Sequence, residues 1–141
     1  MFRRLAAVPA LGLTDGLPYG LVGCDAAGAF VFRKPVPGFD IPRYGGACPL
    51  WPLFRTLQQP MMPLKGRLTF AGRDVGVFEV MAISEVNHPM GYDHPAVLKA
   101  WMLIRAEPQG ADGASAIETG STCRVCTKAD CPARRETSVF E

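Results

Sequence analysis

The stretch YGLVGCDAAGAFVFRK, residues 19–34, decides the fold. Residues 19–24 and 29–34 are two apolar runs of strand length and composition, separated by Asp25-Ala26-Ala27-Gly28. Gly28 is free to take a positive φ, so the segment reads as a β-hairpin. Outward from it, residues 35–42 are Pro-rich and read as loop. CPLWPLFRTL, residues 48–57, reads as a short helix: proline suits a first turn, and Leu50, Phe54 and Leu57 share one face at helical spacing. Pro60 and Pro63 stop it. Residues 66–70 and 75–83 form a second hairpin around Ala71-Gly72-Arg73-Asp74. Residues 75–83 are apolar on both faces, as expected of a central strand. VLKAWMLIRA, residues 97–106, is long enough for a helix, but its two apolar faces favour a buried strand. Residues 88–95 and 109–115 read as loops.

These elements imply an α+β architecture, an antiparallel sheet with short helices on one side. Alternating strands and long helices, which a parallel doubly wound sheet requires, are absent. The 141 residues suffice for one compact domain. A net charge of +2 is too weak to argue for nucleic acid or an anionic membrane, and no apolar run is long enough to span a bilayer. The opening MFRRLAAVPALGL places Arg3 and Arg4 before an apolar stretch, as a signal peptide does. Pro9, Gly12 and Asp15 interrupt it early, so it reads as a mature N-terminus or the start of a piece of a longer protein.

The five cysteines carry the chemistry. An odd number without a convincing leader argues against a disulfide framework and for a reducing, cytoplasmic setting. Cys123, Cys126 and Cys131 lie in GSTCRVCTKADCPAR with C-x2-C-x4-C spacing. Two thiolates two residues apart can face one ion from a tight turn, and a third can complete a face of the site. Cys24 ends an apolar strand and reads as core. Cys48 lies in GGACPLW, beside a glycine pair and at a helix start that favours a thiolate, and is the expected fourth ligand. The plain alternative, free structural thiols, is disfavoured because three cysteines in a polar tail have no core to occupy. The set suits a [4Fe–4S] cluster or Zn2+. The cluster is preferred because proline follows Cys48 and Cys131, as it follows the last cysteine of the bacterial ferredoxin run.

PRYGGACPLWPLF, residues 42–54, and GSTCRVCTKADCPARRE, residues 120–136, resemble the C-terminal ligand-binding domain of the short-chain fatty-acyl transcriptional regulators. These are XRE-type helix-turn-helix proteins related to propionate-catabolism regulators. The resemblance runs from about Tyr19 to the end. It implies a GAF-like fold, a short-chain acyl-CoA-like effector, and a metal or cluster site on Cys48, Cys123, Cys126 and Cys131. It divides the chain into a GAF-like sensor domain, residues 1–118, and a cysteine-rich tail, residues 119–141, packed on the same domain. In this family DNA binding belongs to a helix-turn-helix segment N-terminal to the domain. Nothing before Tyr19 is long enough for that motif, so DNA binding is not expected of the chain as given. The ending RRETSVFE departs from the family's pattern.

A CoA ligand needs cations for its phosphates and an apolar slot for its acyl chain. Arg33, Arg43, Arg55 and Arg67 are the candidate cations, with Trp51 and Phe54 for the slot. The bland alternatives are a solvated basic fringe and ordinary core aromatics. His88 and His94 read as exposed loop residues. No serine sits in a nucleophile-elbow context, and four cysteine ligands would leave no open position for metal hydrolysis. The expected function is ligand sensing without turnover, in a cytoplasmic, homodimeric bacterial regulator that does not engage membranes. The alternatives are a redox-active iron–sulfur protein and a zinc-stabilised interaction module with no small-molecule ligand.

Overall fold

The structure is a computed structural model that describes residues 18–140. The reading of MFRRLAAVPALGL lies outside the described residues. Six strands form one sheet: β1 (Tyr19–Asp25), β2 (Phe30–Lys34), β3 (Leu64–Phe70), β4 (Phe78–Asn87), β5 (Val97–Ala106) and β6 (Ile117–Thr119). Their order is β2-β1-β5-β4-β3-β6. All neighbours are antiparallel except β3 and β6, which run parallel. The architecture is thus sheet-dominated α+β, and among the described residues its α-helix is the four-residue α1 (Pro52–Arg55), continued by a 3-10 turn at Thr56–Gln58.

The first hairpin forms as the sequence predicts. The Asp25 carboxylate accepts from the backbone N–H groups of Ala27 and Ala29 at 2.9 and 3.0 Å, and Gly28 takes φ +82°. The carboxylate therefore holds the turn while glycine supplies the left-handed residue. The second hairpin is shifted. β4 starts at Phe78 rather than Val75, because Gly76 takes φ +88° and ends the extended run before it. β4 does lie inside the sheet, between β5 and β3, but only one face is covered: Phe78, Val80, Ala82 and Ser84 are buried while Met81 is exposed. β5 is a strand, and five consecutive residues from Ala100 to Ile104 are buried.

The main core lies between the sheet and the connection from β2 to β3. Val22, Cys24, Ala100, Met102, Ile104, Phe78, Val80 and Leu68 pack from the strands against Val36, Phe39, Trp51 and Leu53. Phe39 is its aromatic centre, 5.0 Å from the rings of Trp51 and Phe70 and 5.2 Å from Phe78. A smaller cluster of Leu21, Trp101 and Leu103 occupies the other face of the sheet.

Two expectations need correction. The helix is far shorter than residues 48–57, and its buried side is not Leu50, Phe54 and Leu57, all only half-buried. Trp51, Pro52, Leu53 and Thr56 are buried instead. Helical periodicity fails because residues 48–51 precede the helix, so Leu50 and Phe54 are not on one continuous spiral. Strand β6 was not foreseen; its three residues are too few to show a period.

Arg67 on β3 makes a two-pronged ion pair with Glu107, at 2.6 and 2.7 Å, and also donates to Ser115 Oγ and the Asp112 carbonyl. This set pins the loop after β5. The guanidinium hydrogen bond holds the Glu107 carboxyl below the ordinary glutamate value. The stabilisation is therefore complete above about pH 4.3, the ordinary value, and is lost as pH falls through the lower folded value. Glu107→Gln should remove that acid-limb dependence while leaving the neutral-pH limb flat, as checked by chemical denaturation at pH 3–7.

Candidate metal centre

The tail returns to the body of the domain through backbone bonds. Ala71 N–H donates to the Thr119 carbonyl at 2.8 Å, and Cys48 N–H donates to the Ser121 carbonyl at 2.8 Å. Between them, the buried Trp51 donates its Nε1–H to the Gly120 carbonyl at 3.0 Å. Thr119 is thus tied to the end of β3, and Gly120 and Ser121 to the bend carrying Cys48. Cys123 opens a 3-10 turn, Cys123–Val125, with Cys126 directly after it. Asp130 takes φ +49° just before Cys131, a left-handed conformation that Asp tolerates better than most residues.

Cys48, Cys123, Cys126 and Cys131 consequently line one small cavity of about 10 Å³, together with Pro49, Leu50, Gly120, Thr122, Lys128 and Arg134. Cys48 and Cys123 are buried and the other two half-buried. A side chain at Gly120 would displace Cys126: a Cβ there would sit 2.8 Å from Cys126 Sγ and 2.9 Å from its Cβ. Cys24 lies elsewhere, fully buried on β1, where burial pushes its thiol up to about 11. Among the described residues, no three His, Cys, Asp or Glu side chains form a set able to hold a metal ion as they stand. The chemistry of the donor set nevertheless fits a thiolate-bound centre: four sulfurs from two distant segments share one cavity, and among the described residues no carboxylate lines it.

The expected helix N-terminus does not act on Cys48, since α1 begins four residues later and is only one turn long. Burial instead pushes the Cys48 thiol up, with the Cys126 and Cys123 sulfurs adding to the shift, while backbone hydrogen bonds to Gly120 and Leu50 oppose it. A bound cation would reverse that balance, because a coordinating thiol is deprotonated outright.

The six candidate ligand residues are not brought together. Trp51 is fully buried in the core. Arg67 is engaged by Glu107. Arg33 lies over the Phe30 ring and donates to the Arg43 carbonyl at 3.4 Å, so these two are neighbours. Arg55 is exposed. Phe54 lines a 260 Å³ cleft with Ala26, Ala27, Gly28, Gly46, Ala47, Pro49, Leu57 and Arg135. A pocket of about 410 Å³ lies at the far end of β4 and β5, lined by Asn87, His88, Pro89, Val97 and Lys99, and includes none of the six. His88 and His94 are exposed, with His88 4.7 Å from the Tyr92 ring. Sequence reasoning missed Gly120, Lys128, Arg134 and Arg135; their only signal was adjacency to the cysteines.

A family model described as the C-terminal domain of the short-chain fatty acyl coenzyme A regulators matches residues 12–140, and the chain belongs to this family. It is 29% identical over 142 residues to a propionyl-CoA carboxylase regulator of Cereibacter sphaeroides, covering 94% of this chain and 30% of that protein. It is 27% identical over 138 residues to the HTH-type transcriptional regulator RamB of Mycobacterium tuberculosis, covering 84% of this chain and 27% of that protein. The chain thus spans under a third of the length of these curated relatives. A solved Mycobacterium tuberculosis transcriptional regulator shares the fold, with a TM-score of 0.80 at 20% identity over 99% of this chain and 45% of that one. Among the described residues no helix is long and apolar enough to cross a membrane.

Proposed function

We propose that this chain is the effector-sensing part of a bacterial transcription factor. It is a GAF-like domain, residues 1–118, whose cysteine tail, residues 119–141, is held on it by a four-thiolate inorganic centre. The effector is a short-chain acyl-CoA-like molecule, bound without turnover. DNA contact is assigned to a helix-turn-helix part of the regulator, which acts as a cytoplasmic homodimer. Family membership and the regulators it resembles support the sensing role. The observation that carries the centre is the meeting of Cys48 with Cys123, Cys126 and Cys131 in one cavity.

Cys48, Cys123, Cys126 and Cys131 would hold the group. When bound, it supplies a cross-link between tail and body and, as a [4Fe–4S] cluster, a site for an electron. The chain's own part is to bring the Cys48 bend and the tail together through the Trp51 and Ser121 contacts.

Protein purified without oxygen should be brown, with iron and sulfide in near-equal amounts. Colourless protein with one zinc per chain would replace the cluster by zinc, and absence of both would sink the centre. Calorimetric titration with propionyl-CoA should show saturable binding and no product. Stoichiometric metal without acyl-CoA binding would favour a zinc-stabilised interaction module. The burial of Trp51 and the pairing of Arg67 are the observations on that side.

A further inference from the structure

Two consecutive arginines just beyond Cys131 touch both halves of the cysteine site. The Arg135 guanidinium donates to the carbonyl of Ala47, the residue before Cys48. It lies so flat on this bend that a Cβ at Gly46 would sit 2.6, 2.7 and 2.9 Å from its Nη2, Nη1 and Cζ atoms. Arg134 points the other way. It donates to the Cys123 carbonyl at 3.3 Å and to the Lys128 carbonyl, spanning the loop that carries Cys123 and Cys126.

Charge points in the same direction. Four thiolates around a divalent ion or an oxidised cluster keep a net negative charge, and burying it is costly unless cations or hydrogen bonds compensate. Lys128 and Arg134 line the cavity, and among the described residues no Asp or Glu does. Partners outside the ligand sphere commonly fix ligand orientation in this way.

We propose that Arg134 and Arg135 are positioning residues for the four-cysteine centre: Arg135 holds the Cys48 bend against the tail, and Arg134 closes the loop that presents the tail thiolates. The assignment rests on the metal reading above. Gly46 is part of the device, because only a residue without a side chain leaves room for the guanidinium.

The test is the rate at which anaerobically purified, metal-loaded protein yields its metal to excess chelator, followed by absorbance. Arg135→Ala and Gly46→Ala should each release metal about 10–100-fold faster than the unaltered protein. Arg135→Lys, which keeps the charge but not the planar fork, should fall between. A merely structural role would lower the melting temperature of metal-free protein without changing release. Release within about twofold of the unaltered rate in both Arg135→Ala and Gly46→Ala would overturn the proposal while leaving the centre intact. An unaltered protein that binds neither iron nor zinc would instead overturn the centre, and this assignment with it. Should Arg135→Ala fail to fold, Gly46→Ala and Arg135→Lys decide the question, unchanged release in both overturning it.

Discussion

Cys48→Ser protein, purified without oxygen, should lose most of its metal and melt well below the unaltered chain. Cys48 is the one sulfur of the cavity contributed from outside the tail, so its loss removes a donor and a cross-link together. Outer partners of metal ligands typically cost about 10–100-fold in affinity when removed, and a ligand should cost at least the upper figure. Each decade is about 1.4 kcal/mol of lost stabilisation of the folded, loaded state. Two decades therefore amount to about 3 kcal/mol, or roughly 10 °C in melting temperature for a domain of this size. Cys24→Ser is the control. Cys24 is buried on β1 away from the cavity, so that variant should keep its metal whatever it loses in packing. Elemental analysis and thermal melts of both variants check this. Equal metal content in Cys48→Ser and the unaltered protein would remove Cys48 from the site.

Trp51→Ala should cost about 3–5 kcal/mol, the range for emptying a large aromatic site in a packed core. Trp51 is wholly buried, stacked near Phe39 and Phe30, and its indole N–H holds the Gly120 carbonyl. Trp51→Phe separates the two contributions. It restores most of the apolar surface but leaves the Gly120 carbonyl without that donor, at about 1–3 kcal/mol if no water replaces it. Because Gly120 abuts Cys126 and precedes the residue bonded to Cys48, Trp51→Phe should also loosen the tail. Urea unfolding gives the two energies. Proteolysis of metal-free protein, read at Arg124 and Lys128, reports the tail. A Trp51→Ala cost below about 1 kcal/mol would contradict the packing described here.

Five of the six strands were legible because each depends on a short-range pattern, which the three residues of β6 are too few to show. β1, β2 and β5 announce themselves by apolar runs, β3 by its hairpin turn, and Asp25 with Gly28 supplies the turn between the first two. The tail cysteines were legible for the same reason, since C-x2-C-x4-C is a local spacing. Family resemblance added the sensor assignment, which composition and periodicity could not reach. The boundaries of β4 and α1 were misread where one residue overrode the pattern: Gly76 with its positive φ, and a proline-rich entry that delays the helix to Pro52.

Other features belong to the folded chain alone. That Cys48 shares a cavity with the tail, that Trp51 is buried in the core and bonded to Gly120, and that Arg67 is paired with Glu107 are facts of long-range placement. No local pattern encodes them, because each depends on which strand edge and which loop the chain meets many residues later. A spacing of two or four residues can be read along a line. A sulfur, a guanidinium and a carbonyl drawn from opposite ends of the chain become neighbours only when the sheet has closed and its core has excluded water.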